Sequence, residues 1–196
     1  MIRLLVVDDH SPTRLATISQ LMAGDLIEVI GEAETSDQAL KLGEKLLPDI
    51  VLLDLHLPGL ISSVDLIKRL TALRNVKVIA FASQVVGAEV PDLLDAGASA
   101  YILKGDPSAL IRMTILMVSR GSRNITSSAV PREIAKLTAP ERGLLKEITK
   151  KGKLQKAAER MGVPESSLLE TVNQISQKLE INDAEKLIKW AKKQGF

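Results

Sequence analysis

The chain has 196 residues, 45% hydrophobic and 26% charged, with 2% aromatic and no cysteine. That composition suits a soluble globular protein whose cores are built from Leu, Ile, Val and Ala, and it excludes disulfides and thiolate metal centres. The net charge of +2 is unevenly spread: residues 1–125 hold 12 Lys+Arg against 15 Asp+Glu, and residues 126–196 hold 14 against 9. An acidic half joined to a basic half predicts two domains with different partners.

The chain opens on an apolar run at 2–7 that meets Asp8-Asp9, which does not read as a signal peptide. No apolar run approaches the ~18 residues needed to span a bilayer, so no membrane association and a cytoplasmic location are expected. Further strand-like runs follow at 27–31, 50–53, 76–81 and 100–103. Each is nearly continuous in apolar residues, as in strands buried on both faces of a parallel sheet. Helical patterns lie between them near 13–23, 36–47, 61–73 and 88–96, with a fifth at 107–119. Ser36 and Asp106 read as helix N-caps, and Pro107 suits a first helical position. Five such units in alternation predict an α/β fold, a five-stranded doubly wound parallel sheet. In the fifth helix the apolar residues occupy more than one face. A second stripe through Ile111, Ile115 and Val118 is expected to bury against the C-terminal region, the linker or a second subunit.

Composition shifts at Arg120-Gly121-Ser122-Arg123-Asn124, where a polar stretch reads as a linker. Beyond it only helical patterns appear: 132–136, 140–151, 154–161, 165–179 and 183–193. Breaks are expected at Gly152, at Gly162-Val163-Pro164 and at Ile181-Asn182. Leu168, Val172, Ile175 and Leu179 follow i, i+4, i+7, i+11, marking one buried face. The domain boundaries are accordingly 1–120, a linker at 121–131, and a smaller all-α domain at 132–196.

In open α/β sheets the functional crevice lies beyond the carboxyl ends of the strands. Here the first strand ends in Asp8-Asp9, the third in Asp54, the fourth in Ser83 and the fifth in Lys104. Two carboxylates about 4 Å apart repel by roughly 4 kcal/mol at an effective dielectric near 20. Such a cluster calls for a cation, and an all-oxygen ligand set suits Mg2+. A carboxylate can also act as a nucleophile and form an aspartyl phosphate. Lys104 is then a second counter-ion for phosphoryl transfer, and Ser83 a hydrogen-bond partner for a phosphoryl oxygen. A transition-metal site is not supported by His10 and His56 alone. A dehalogenase-type phosphatase would need a second Asp where His56 stands, and no GxxxxGK[ST] loop is present.

LLVVDDHSPTR, DIVLLDLHLPG, VIAFAS and AYILKGD, in that order, resemble the receiver domain of bacterial two-component response regulators, a flavodoxin-like fold, over about residues 1–120. The resemblance implies that Asp54 accepts a phosphoryl group from a histidine kinase. It implies that Asp8, Asp9, Asp54 and the backbone carbonyl of His56 hold Mg2+, and that Ser83 and Tyr101 form a switch pair with Tyr101 turning inward. No enzymatic activity beyond phosphorylation and dephosphorylation of Asp54 is expected.

LTAPERGLLKEI, KAAERMGVPESS and QISQKLEINDAEKLIKWA resemble a LuxR-type helix-turn-helix output domain. Joined to such a receiver, it gives the NarL/FixJ class of transcriptional regulators, with duplex DNA and a possible homodimer as partners. The scaffold positions match well and the groove-facing ones poorly. A Thr-Val-Lys-x-His stretch is usual there, and this chain has Ser167-Leu168-Leu169-Glu170-Thr171. Candidate DNA contacts are Lys153, Lys156 and Lys178 for phosphates, and Ser166, Leu169, Asn173, Gln174 and Gln177 for bases. The departures keep open an alternative in which this domain binds a protein partner.

Overall fold

In a computed structural model, residues 1–151 and 154–196 are described. The chain divides into two compact units, Met1–Val85 with Asp92–Ser128, and Val86–Pro91 with Ala129–Phe196. In chain order the elements are β1 (Ile2–Val7), α1 (Ser11–Leu21), β2 (Ile27–Ala33), α2 (Ser36–Leu46), β3 (Ile50–Leu53), α3 (Ser63–Thr71), β4 (Lys77–Ala82), α4 (Val90–Asp95), β5 (Ala100–Leu103), α5 (Ser108–Ser119) and β6 (Ile125–Thr126). A 3₁₀ turn (Arg132–Lys136) then precedes α6 (Ala139–Lys151), α7 (Leu154–Met161), α8 (Glu165–Lys178) and α9 (Ala184–Lys193). No helix among the described residues is long and apolar enough to cross a membrane.

The six strands form one parallel sheet in the order β2-β1-β3-β4-β5-β6. All four residues of β3 are buried, as the continuous apolar run requires of a central strand covered on both faces. The five expected strands are present, and a sixth arises inside the stretch read as a linker, where Ile125 and Thr126 pair with Ala100 and Tyr101. Two residues are too few to carry a periodicity, so this strand leaves no pattern in the sequence.

Two helix ends differ from expectation. The side chain of Thr35, not Ser36, caps α2 by accepting from the Gln38 amide. Pro107 occupies the cap position of α5, while the Asp106 carboxylate instead accepts from the Leu103 amide and the Ser127 hydroxyl. The stripe Ile111, Ile115 and Val118 also needs correction: it packs into the sheet's core with Leu52, Ile79 and Ile102. The apolar residues that α5 leaves outside are Leu110, Met113 and Met117, at 40%, 60% and 40% exposure. Both stripes have helical spacing, and only the phase of the helix on the sheet decides which is buried.

The second unit has a core of its own. Leu144, Leu145 and Ile148 of α6, Ala157 and Ala158 of α7, Leu168, Val172 and Ile175 of α8, and Leu187 and Ala191 of α9 pack together. Complete burial of one Leu or Ile side chain is worth roughly 1.5–3 kcal/mol, so this cluster holds the four helices. Gly162 turns between α7 and α8 at φ 66°, a left-handed conformation that glycine adopts without strain. The expected break at Gly152 lies outside the described residues.

Candidate functional site

Main-chain hydrogen bonds beyond the strand ends set the backbone of the acidic site. The Asp8 amide donates to Ala33 O (3.0 Å), the Asp54 amide to Val7 O (2.9 Å), and the Lys104 amide to Ala82 O (2.8 Å). Each residue therefore leaves its strand still tied to a neighbouring strand, and all three converge on one sheet edge. Asp8 and Asp54 are buried, whereas Asp9 is exposed. One carboxylate oxygen from each of Asp8, Asp9 and Asp54 lies within 4.8 Å of the others, a grouping able to hold a metal ion.

Lys104 reaches over this cluster. Its ammonium stands 2.7 Å from Asp8 Oδ2 and 3.0 Å from Asp54 Oδ2. Burial pulls the lysine pKa down, but its hydrogen bonds and charge interactions with Asp8 and Asp54 outweigh that effect and hold it above its ordinary value. The remaining oxygens of the two buried carboxylates accept backbone amides: His10 N to Asp8 Oδ1 at 3.0 Å and Leu55 N to Asp54 Oδ1 at 2.7 Å. Every Asp54 oxygen thus has a donor, and Asp9 faces water.

The other expected members of the site occupy the same sheet edge. Ser83 directly follows β4 and is exposed. The Tyr101 ring is fully buried, turned inward, and its hydroxyl donates to Gln84 O at 3.0 Å, beside Ser83. His56 is exposed two residues beyond Asp54. The loop carrying it is strapped to α2: Ser36 N donates to Pro58 O, Leu60 N to the Asp37 carboxylate, and Ile61 N to the Ser36 hydroxyl. Gly59 sits in this strap at φ 137°, where a side chain would collide with Ser36 and Asp37.

One contributor was missed from sequence. Arg14 of α1 is 6% exposed, and its guanidinium donates to Asp8 O (2.6 Å), Glu32 (2.9 Å) and Glu34 (2.6 Å). The Glu32 hydrogen bond raises the arginine pKa; burial opposes it, and Glu34 adds to the rise. Arg14 thereby fixes the main chain of Asp8 from behind. Its position five residues after Asp9, inside the first amphipathic stretch, was the available signal.

In the second unit, Lys156, Ser166, Leu169, Asn173, Gln174, Gln177 and Lys178 are all exposed, while Lys153 lies outside the described residues. Ser166, Glu170, Asn173 and Gln177 recur at i, i+4, i+7, i+11, opposite the buried stripe of α8, and so form its outward face. That face includes a carboxylate. Lys178 is engaged within the unit, 2.8 and 3.0 Å from the two Glu141 carboxylate oxygens. Glu141 also accepts from the Thr138 amide and hydroxyl. Burial pushes the Glu141 carboxyl up, but Lys178 and Thr138 outweigh it and hold its pKa below the ordinary value.

A depressed carboxyl pKa stabilises the fold above the unfolded value, about 4.3, and that contribution disappears as pH falls through the lower folded value. Glu141→Gln is therefore expected to flatten the acid limb of this unit's stability curve. Urea denaturation followed by Trp190 fluorescence reports on this unit alone, since Trp190 is the only tryptophan. An acid limb identical to the parent's would dismiss the contribution.

Residues 4–115 match the family described as the response regulator receiver domain. Transcriptional regulatory protein LiaR of Bacillus subtilis is 32% identical over 138 residues, covering 70% of this chain and 65% of LiaR, so the chain spans just under two thirds of that relative. Nitrate/nitrite response regulator protein NarL of Escherichia coli is 25% identical over 201 residues, covering 95% of this chain and 93% of NarL. Among solved structures, RcsB from Salmonella enterica serovar Typhimurium, bound to promoter rprA in the presence of phosphomimetic BeF3-, covers 97% of this chain at a TM-score of 0.69 and 17% identity, a likeness of fold.

Proposed function

The chain belongs to the response regulator receiver family, and from that premise we propose that it is a phosphorylation-controlled regulator in which Asp54 accepts a phosphoryl group and an output domain acts on duplex DNA. The receiver is the unit Met1–Val85 with Asp92–Ser128, which takes β6 out of the expected linker at 121–131, and the helices from residue 132 onward are the output domain. The observation that carries this reading is the Lys104 ammonium shared between Asp8 and Asp54 beside the solvent-facing Asp9.

An oxygen of the Asp54 carboxylate attacks phosphorus; the donor's bond to phosphorus breaks, and an acyl phosphate forms. A histidine kinase is the expected donor. Three clustered carboxylate oxygens fit a hard divalent cation, and Asp8, Asp9, Asp54 and the His56 carbonyl would hold Mg2+, which supplies positive charge to the phosphoryl oxygens. Lys104 exchanges an Asp54 oxygen for a phosphoryl oxygen, and Ser83 donates its hydroxyl to another. Because Tyr101 is bonded to the residue after Ser83, movement of Ser83 is coupled to the tyrosine and so to the surface around it. The protein works in the cytoplasm, with no chemistry beyond gain and loss of phosphate at Asp54.

Arg14 positions the Mg2+ ligands through the Asp8 main chain. Arg14→Ala is expected to weaken Mg2+ binding by about 10–100-fold, the usual loss when a group behind a metal ligand is removed. Arg14→Lys, which cannot span three acceptors, should restore little. Isothermal titration with Mg2+ measures this, alongside a thermal melt to verify folding; unchanged affinity in a folded variant rules the role out.

The DNA arm is tested on the full chain with random-sequence duplex over a salt series, with and without BeF3-. Affinity should fall with a log–log slope of about −0.9 per phosphate contacted and rise with BeF3-. A second reading is favoured by α8, whose outward face carries Glu170 beside exposed Leu169 and whose Lys178 is already paired. On that reading this helix binds a protein partner, and absence of duplex binding at low salt would select it.

A further inference from the structure

We propose that the second unit holds a small-molecule site in the cleft between the end of α8 and the start of α9, and that its ligand is a neutral, hydroxyl-rich molecule of monosaccharide size. The proposal goes beyond the phosphoryl reading and does not depend on it.

The cleft has a volume of about 350 Å3, at the small end of the roughly 300–1,000 Å3 usual for small-molecule sites. One wall is α8, where Asn173, Ser176 and Gln177 stand at i, i+3 and i+4 and so share a face. The other is the stretch 181–184, which leads into α9. A left-handed turn holds the two walls together. Glu180 adopts φ 59°, a conformation that a side chain disfavours, and the Ile181 amide donates to Ser176 O at 2.8 Å.

Ser176 points to a ligand. It is 7% exposed, and among the described residues its hydroxyl has no hydrogen-bond partner. Alanine would fill the same space, is the better helix former, and would leave no buried hydroxyl unpaired. No described residue uses this hydroxyl, whereas a ligand hydroxyl can both give it a hydrogen bond and take one from it. The oxygen is shielded from solvent, so a ligand in the cleft reaches it after one step of the serine side chain between staggered positions.

The remaining lining fixes the chemical class. Asn173, Gln177 and Asn182 are exposed, and among the described residues none of their side-chain amides is hydrogen-bonded. Each carboxamide donates and accepts, as hydroxyl groups themselves do. No cation among the described residues lines the cleft, which disfavours a phosphate or carboxylate ligand. Asp183, the one charged residue of the lining, gives an oxygen to the Glu185 amide and stands at the positive end of α9. Its charge is thus partly met in place, and a desolvated amine would gain too little from it. Ile181 and Ala184 add an apolar patch, suited to the C–H face of a polyol ring.

The test titrates D-glucose, D-ribose and myo-inositol into the isotope-labelled full-length chain and follows the side-chain amide signals of Asn173, Gln177 and Asn182 by NMR. At least one polyol is expected to shift them saturably, with a dissociation constant of about 1–10 mM, as a neutral ligand of about a dozen heavy atoms allows. Ser176→Ala should lose at least tenfold in affinity yet melt no lower than the parent by Trp190 fluorescence. Ala184→Leu, which fills the cleft, should also remove binding. Gln155→Ala, the loss of an exposed amide that does not line the cleft, should leave it unchanged. If none of the three polyols gives a saturable shift, the proposal is overturned. If Ser176→Ala binds as the parent does, or melts lower, the hydroxyl serves the fold and the proposal fails. If glucosamine or glucose 6-phosphate binds tenfold more tightly than glucose, the cleft selects charge, and the assignment to a neutral polyol is wrong.

Discussion

Asp54→Asn protein, incubated with acetyl phosphate and Mg2+, is expected to incorporate no hydroxylamine-labile phosphate, while the parent does. The asparagine keeps the shape of the side chain, and the Leu55 amide can still donate to its carbonyl oxygen, as it now does to Asp54 Oδ1. What disappears is the anionic oxygen that attacks phosphorus. Asp8 and Asp9 are close enough to serve as substitutes, since their oxygens lie within 4.8 Å of those of Asp54. Asp8, however, has both oxygens engaged, by His10 N and Lys104, and Asp9 faces open solvent. Residual labelling of Asp54→Asn that vanishes on further change of Asp9 to Asn would move the acceptor to Asp9 and overturn the assignment. With BeF3-, the same Asp54 variant should show none of the affinity gain for duplex expected of the parent, because the fluoride complex forms on the same oxygen.

The strands and the residues at their ends were legible because both depend on local pattern. Continuous apolar runs announce buried parallel strands, and topology then brings Asp8, Asp54, Ser83 and Lys104 to one edge without knowledge of any contact. Features that depend on distant pairing were not legible. Arg14 meets Glu32 and Glu34, residues 18 and 20 positions away, only after β1 and β2 have paired. Lys178, expected to be free for phosphate, meets Glu141, 37 positions earlier. The cap of α2 was misplaced by one residue because Thr35 and Ser36 are equally good capping types, and only the extended backbone of Thr35, φ −134° and ψ 158°, decides between them. On α5 the spacing revealed two apolar stripes but not which of them faces the sheet.

The acidic cluster also predicts opposite stability changes for its anion and its cation. Asp8 and Asp54 are almost wholly buried, and both depend on the Lys104 ammonium at 2.7 and 3.0 Å. Removal of one partner from a buried ion pair leaves the other charge uncompensated, at a cost of about 3–5 kcal/mol. The lower end of that range is appropriate, because Asp9 opens the cluster to water. Lys104→Met without Mg2+ should therefore be less stable than the parent by about 3 kcal/mol at neutral pH, and added Mg2+ should recover much of the loss. Asp54→Asn without Mg2+ should move the other way, since it removes one of three mutually repelling carboxylates. The pH dependence carries the same sign. The pKa of Lys104 is raised in the folded protein, so its contribution is complete below the unfolded value, about 10.4, and is lost as pH rises through the higher folded value. Lys104→Met should lack this alkaline limb. Urea denaturation of the three proteins, with and without Mg2+, followed by far-ultraviolet circular dichroism, measures every term. If Lys104→Met matches the parent in stability and shows no Mg2+ dependence, the ammonium is not what holds the carboxylates together.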